Sequence, residues 1–221
     1  MYNNISTIIW DWNGTLLNDK QVSIDAVNVL LKKRKIPIIT EEKYLDSFGF
    51  PVKDYYERIG FDFSIEPFEV PAFEFIETYY SSIKNAELHI NSINALNIFA
   101  KLGYKQFILS AAEHNKLVKL LTSFGIERYF ESIAGLKHDY GTSKIEMGRA
   151  LLDNYQIKAG NACLIGDTDH DYEVAEALGC RCILIANGHQ PKSKLQQSGC
   201  LVIDDIEQLI KMFNTIKIDK P

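Results

Sequence analysis

The chain has 221 residues, 46% hydrophobic and 24% charged, which fits one globular domain with a sizeable insertion and excludes a disordered chain lacking the apolar surface to offset ordering entropy. Its formal charge of −5, from 24 basic and 29 acidic residues, argues against nucleic acid as a partner, since a polyanion calls for a basic face. No apolar run approaches the roughly 20 residues of a membrane span, Met1-Tyr2-Asn3-Asn4 does not read as a signal peptide, and cysteines in or beside apolar runs (Cys163, Cys180, Cys182) read as reduced thiols of a cytoplasmic protein.

The first element is a short β-branched run, Ile5 to Trp10, stopped by Asp11-Trp12-Asn13-Gly14-Thr15. A buried strand ended by a glycine loop is the pattern of a parallel sheet. A helix follows, with Val22, Ala26, Val29 and Leu30 on one face and an end near Lys35, before Pro37. Residues 36 to 90 read differently. They hold four of the six prolines, and Tyr44 to Tyr80 contains 12 of the 25 aromatic residues. Phe73, Ile76, Tyr79, Tyr80 and Ile83 repeat at helical spacing, and no strong strand appears.

After residue 90 strands and helices alternate. Ile93, Leu96, Phe99 and Ala100 mark a helix; Gln106 to Leu109 form a strand ending at Ser110; Leu117, Leu120, Leu121 and Phe124 mark a helix closed by Gly125. A weak strand at Ser132 to Gly135 precedes a helix carrying Met147, Ala150, Leu151 and Tyr155. Ala162 to Ile165 form a strand ending at Gly166-Asp167, then a helix carries Val174, Ala177 and Leu178 and closes at Gly179; Cys182 to Ile185 and Leu201 to Ile203 are further strands. This alternation predicts an α/β fold with a doubly wound parallel sheet, in which ligands bind beyond the carboxyl ends of the strands.

Polar residues gather at those ends. Asp11 and Asp167 on separate strands, with a backbone carbonyl, would make a hard oxygen site suited to Mg²⁺. A lysine such as Lys144, after Gly141-Thr142-Ser143, would neutralise phosphate oxygens, and a carboxylate beside both could attack phosphorus. Lys137, just after the weak strand, is the alternative lysine.

In this order and on these elements, the motifs resemble the four signatures of the haloacid dehalogenase superfamily, in its phosphoglycolate-phosphatase-like branch, over nearly the whole chain. The resemblance implies a Rossmann-like core with a helical cap. It also implies Mg²⁺-dependent hydrolysis of a small phosphorylated metabolite through an aspartyl-phosphate. Asp11 would be the nucleophile, Ser110 and Lys144 would hold the phosphoryl group, and Asp11, the Asn13 carbonyl and Asp167 would bind the metal with Asp171 in support. By the same resemblance the core is residues 1–17 and 89–221 and the cap 18–88; a monomer or homodimer is expected. Phe48-Gly49-Phe50-Pro51 is similar to the cap loop that faces substrate, and Gly14, Thr15, Gly49, Lys53, Arg58 and His114 are candidate substrate contacts.

Two departures matter. The superfamily's phosphatases carry an Asp two residues after the nucleophile that protonates the leaving group and then activates water. Here that residue is Asn13, and an amide does neither. Losing such help lowers rates by roughly 10²–10⁴-fold. Three readings follow: a substrate whose leaving group needs little protonation, such as an acyl phosphate or pyrophosphate; another proton source, among His114, Glu113 and His89; or phosphate-ligand or protein binding with little catalysis. Relatives that cleave C–P or C–halogen bonds also lack this Asp, which adds a fourth, with Lys53 the one candidate imine former. The second departure is Ala111-Ala112 after Ser110, where relatives often carry Asn. The clustered aromatics read as the core of the cap, with a ring-stacking site as the alternative.

Overall fold

The computed structural model describes residue 2 and residues 4–136 and 143–218, the last three by their backbone. Lys137 and the Gly141-Thr142 pair lie outside the described residues.

Six parallel strands form one sheet in the order β5-β4-β1-β6-β7-β8. They are β1 (Thr7–Trp10), β4 (Lys105–Glu113), β5 (Ser132–Leu136), β6 (Ala162–Gly166), β7 (Arg181–Ile185) and β8 (Leu201–Ile203). β1 lies in the middle, pairing Thr7 with Lys105 on one side and with Ala162 on the other. Its four residues are all buried, as a strand covered on both faces requires. Alternation splits the strand residues between two cores. Ile8, Trp10, Ile108, Cys163 and Ile165 face one, and Ile9, Phe107, Leu109 and Leu164 face the other. Helices α5 (Ser92–Lys101), α6 (His114–Ser123) and α10 (Ile206–Ile218) cover the first face; α7 (Lys144–Asn154), α8 (Asp169–Leu178) and α9 (Lys192–Leu195) cover the second.

Between β1 and β4 the chain builds four helices, α1 (Lys20–Lys33), α2 (Glu41–Ser47), α3 (Val52–Arg58) and α4 (Glu69–Ser82). They share a third cluster that joins Ile24, Val27, Leu30 and Leu31 of α1 to Tyr44, Tyr55, Tyr56 and Phe61. The chain enters and leaves this segment through a small antiparallel ribbon, β2 (Leu17–Asn18) against β3 (Glu87–Leu88), with Leu17 opposite Leu88.

The structure corrects several local expectations. Val29 is 52% exposed, because α1 packs through the rows Val22–Ala26–Leu30 and Ser23–Val27–Leu31 and turns Val29 outward. Phe73 and Ile93 are likewise exposed, as are Ala100 and Ala177. The strand expected to end at Ser110 runs on to Glu113, with a register irregularity after Leu109. The β2–β3 ribbon has no sequence signal, since two residues are too few to show a period.

Candidate active site

The site sits at the carboxyl edge of the sheet. The Asp11 amide donates to the Ile165 carbonyl (2.8 Å), which extends the β1–β6 ladder and fixes Asp11 at the strand end. Asp167 follows β6, and Asp171 lies in the first turn of α8. These three aspartates are buried, and each presents a carboxylate oxygen within 4.8 Å of the others. Lys144, at the start of α7, bridges two of them, with Nζ 2.5 Å from Asp11 Oδ1 and 2.6 Å from Asp171 Oδ1. The α7 terminus is set by a reciprocal cap: Glu146 donates its amide to Ser143 Oγ, and its carboxylate accepts from the Ser143 amide.

The three carboxylates differ in their free capacity. Asp171 Oδ2 accepts from the Thr168 amide (3.0 Å), the Thr168 hydroxyl (2.7 Å) and the Asp167 amide (3.2 Å), while Oδ1 holds Lys144. It is saturated, and it positions the lysine. Burial pushes against its ionisation, but Lys144 and the Thr168 donors outweigh that and hold its pKa low. Asp11 is pushed up to about 6, chiefly by burial, with Lys144 opposing. Asp167 is pushed up to about 7, again chiefly by burial, with His189 opposing. Among the described residues, three buried carboxylates here face one ammonium. Buried charges at such density are paired or bind cations. Hard oxygens on Asp11 and Asp167 within this span suit a divalent ion such as Mg²⁺, which takes carboxylate ligands at about 2.1 Å.

The loop between β1 and β2 organises these groups. The Thr15 hydroxyl donates to Asp167 Oδ1 (2.9 Å) and lies 3.4 Å from Asp11 Oδ2. Gly14 has φ +74°, and a side chain there would run into the Asp167 carboxylate and the His189 ring. Its amide donates to Asp19 Oδ1 (2.8 Å). Gly14 and Thr15 therefore brace the carboxylates; neither lines the cavity. Ser110 lies two residues beyond Ile108, the β4 partner of Trp10; its hydroxyl oxygen is buried and accepts from the Ala112 amide (3.1 Å).

Asn13 faces a buried polar cluster. Its Nδ2 donates to Asp19 Oδ2 (2.8 Å) and to the Tyr79 hydroxyl (2.6 Å), and Tyr79 in turn donates to Asp19 Oδ2 (2.5 Å). His189 completes the cluster, with Nε2 3.2 Å from Asp19 Oδ1 and Nδ1 2.9 Å from the Tyr44 hydroxyl. Burial opposes a charge on His189, but Asp19 overrides it and raises the imidazole pKa to about 9. Burial would also raise Asp19; His189 outweighs it and holds the carboxyl low. The pair is an ion pair at neutral pH. The His189 amide also donates to Asp167 Oδ2 (2.7 Å).

Above the carboxylates lies a cavity of about 250 Å³ that reaches from Asp11 into the helical segment. Eight of the twelve aromatics between Tyr44 and Tyr80 line it, so these rings serve both as the segment's core and as a cavity wall. Lys53, Arg58 and His114 are not brought into it. Lys53 lies over the Phe63 ring (5.6 Å), Arg58 donates to the Ser47 carbonyl (2.9 Å), and His114 lines a separate cavity between β5 and α7. Gly49 sits between two lining residues, Phe48 and Phe50, and a side chain there would meet Lys194 Nζ at 2.8 Å. Of the other proton sources considered, Glu113 caps α6 through the Asn115 and Lys116 amides, and His89 is buried near Asn187 outside the cavity lining.

A sequence model of the haloacid dehalogenase-like hydrolases matches residues 8–185, from β1 to the end of β7. The chain belongs to this family. Among solved structures, a haloacid dehalogenase-like family hydrolase from Streptococcus pneumoniae superposes with a TM-score of 0.82 at 19% identity, covering 95% of this chain and 99% of that one. A protein described as a predicted phosphatase from Clostridium acetobutylicum gives 0.79 at 19% identity over 96% and 99%. One described as a predicted phosphoglycolate phosphatase from Haemophilus somnus gives 0.76 at 19% identity over 95% and 98%. At such identity these likenesses speak for the fold. No curated protein sequence matches the chain.

The sequence reading missed Asp19, Tyr44, Tyr79 and His189. One signal was available for His189. It follows Ile185, the end of β7, and strand ends in a parallel sheet are where ligand groups collect.

Proposed function

We propose that the protein is a Mg²⁺-dependent phosphatase that cleaves a small phosphomonoester through an aspartyl-phosphate on Asp11. The observation that carries this reading is the buried Asp11–Asp167–Asp171 cluster bridged by Lys144. In it Asp11 keeps one oxygen turned away from the lysine, available to attack phosphorus. Lys144 and the Ser110 hydroxyl hold the phosphoryl oxygens, and Asp171 keeps Lys144 in place. Asp11, Asp167 and the Asn13 carbonyl would hold Mg²⁺; the side chain at position 13 does not alter that carbonyl. Bound there, Mg²⁺ would draw charge from the phosphoryl oxygens and orient the phosphorus.

Residues 18–88 act in this reading as a cap over the core formed by 1–17 and 89–221, keeping water from the reacting groups. Four free cysteines suit a reducing, cytoplasmic setting, and no helix among the described residues is long and apolar enough to cross a membrane.

Asn13 favours a second reading, a protein that binds phosphate compounds and turns them over slowly. Inorganic phosphate release from a panel of phosphate esters and acyl phosphates with Mg²⁺ separates the two. Asp11→Ala should lower the rate by roughly 10³-fold or more, as loss of a nucleophile does. An unchanged rate would refute the nucleophile assignment, and Mg²⁺ and phosphate binding without turnover of any ester would favour the binding reading.

A further inference from the structure

Two independent features of the site bear on what leaves the phosphorus. The first is the cavity wall. Residues 19–80 contribute twelve lining side chains, and apart from tyrosine hydroxyls only Asp19 and Ser23 among them are polar. The rings are arranged as surfaces: Tyr44 stacks on Phe48 (5.1 Å between centroids), Phe75 stacks on Tyr79 (5.7 Å), and Tyr55 stands edge-on to Phe48 (5.3 Å). Ala111 adds an apolar contact on the core side. Among the described residues, Lys144 is the only lysine or arginine that lines the cavity, and it is held by Asp11 and Asp171. Of the lining histidines, His189 is held by Asp19 and Tyr44, and His170 by Glu173. Among the described residues, a leaving group bearing a carboxylate or a second phosphate would meet aromatic faces and Asp19, and the lining cations Lys144 and His189 are already paired. At about 250 Å³ the space lies below the roughly 300–1,000 Å³ of drug-sized pockets, which suits a single ring.

The second feature is Asn13, whose amide is fixed toward Asp19 and Tyr79 and supplies no proton. An alkoxide is a poor leaving group without one, whereas a phenolate departs unprotonated because its conjugate acid is far stronger (pKa about 10 for a tyrosine-like phenol).

Building on the phosphatase reading, we infer that the substrate is an aryl phosphate, its ring seated against Phe48 and Tyr79 and its oxygen leaving as phenolate. Asp11 attacks phosphorus as the aryl O–P bond breaks, and the electron pair leaves on the phenolate, which takes its proton from solvent on release. Water then cleaves the acyl phosphate, restoring the Asp11 carboxylate and carrying both protons away on inorganic phosphate as H₂PO₄⁻.

The test has a binding arm and a turnover arm. In the binding arm, Asp11→Asn protein with Mg²⁺ is titrated with phenyl phosphate and with phosphoglycolate, and phenyl phosphate should bind at least about 10-fold more tightly. In the turnover arm, wild-type kcat/KM should fall from phenyl phosphate to benzyl phosphate to phosphoglycolate. The first step, ring retained but alkoxide leaving, should reach roughly 10²-fold, the lower bound for lost acid catalysis. Ile76→Arg, which brings a cation to the α4 side of the cavity, should shift the preference toward phosphoglycolate. Phosphoglycolate binding as tightly as phenyl phosphate, or benzyl and phenyl phosphate turning over alike, would overturn the inference while leaving the phosphatase reading intact. Preferential binding of phenyl phosphate with no release from any ester would overturn the phosphatase reading, and the phenolate step with it, and leave only the cavity's preference for a ring.

Discussion

Asn13 and Asp19 have to be read as a pair. Asn13 Nδ2 is 2.8 Å from a buried Asp19 oxygen, so a carboxylate at position 13 would face another carboxylate at hydrogen-bond distance, and two such groups do not both ionise. The amide is what Asp19 accepts, and Asp19 is in turn what holds His189 and the Gly14 amide. Asn13→Asp alone therefore leaves one proton on the pair, available to an alkoxide leaving group, and should raise turnover of alkyl phosphates by roughly 10²–10⁴-fold, the range of acid–base help. Asn13→Asp with Asp19→Asn replaces the shared proton by an amide donor, favours the ionised carboxylate at position 13 and should gain less. Rates of glycerol phosphate hydrolysis by the single and double variants decide this; equal gains from both would show that Asp19 does not constrain position 13.

Among the elements, the loop from Phe48 to Phe50 is tied to the far side of the site. Lys194 in α9 donates to the Phe48 carbonyl (2.8 Å) and lies 3.4 Å from Asp169, and the Phe50 ring packs on His170 (4.6 Å). Lys194 is partly exposed, and such pairs add at most about 1 kcal/mol. Lys194→Ala should leave the denaturation midpoint nearly unchanged and raise KM more than it lowers kcat, because the loop bounds the cavity without touching the reacting groups. A fall in kcat at constant KM would contradict that division. These ties also show what sequence could and could not reveal. Asp11 and Asp167 were legible because each sits at a strand end that its own neighbours define; Lys144 was set apart from Lys137, and Asp171 picked out, by the likeness to the family's motifs. The Asp19–His189–Tyr44–Tyr79 cluster was not, since its partners stand 60, 145 and 170 residues apart and none lies in a local pattern. The sheet was readable from strand runs buried on both faces; α2 and α3, seven residues each, are too short to display a helical period.

For the whole molecule, the unpaired charge of the carboxylate cluster links metal, pH and stability. Asp11 at about 6 and Asp167 at about 7 lie above their ordinary 3.8, so the metal-free folded state keeps protons that the unfolded chain has lost. Unfolding releases them, and stability falls as pH rises from about 4 to about 7. His189 acts in the same sense: its contribution is complete below 6.5 and is lost as pH rises through about 9. Asp19 and Asp171, held low, lose theirs only as pH falls below 3.8. A divalent ion binds the deprotonated carboxylates and stabilises the folded state that holds it. The gap in Tm between Mg²⁺ and EDTA samples should therefore be wider at pH 8 than at pH 5. A gap that narrows with rising pH would place the metal away from Asp11 and Asp167.

The β2–β3 ribbon sets Leu17 beside Leu88, so the helical segment begins and ends at one point on the sheet. Its two chain crossings act as a single attachment, much as a plug fits a socket. A segment joined in this way can be exchanged between relatives, or change length, without altering strand order or the spacing of Asp11, Asp167 and Lys144. On the phosphatase reading, the aromatic wall lies on the segment between Leu17 and Leu88, while Asp11, Lys144 and Asp167 lie outside it; a chimaera cut at Leu17 and Leu88 is expected to take its ring preference from the first parent and its carboxylate cluster from the second.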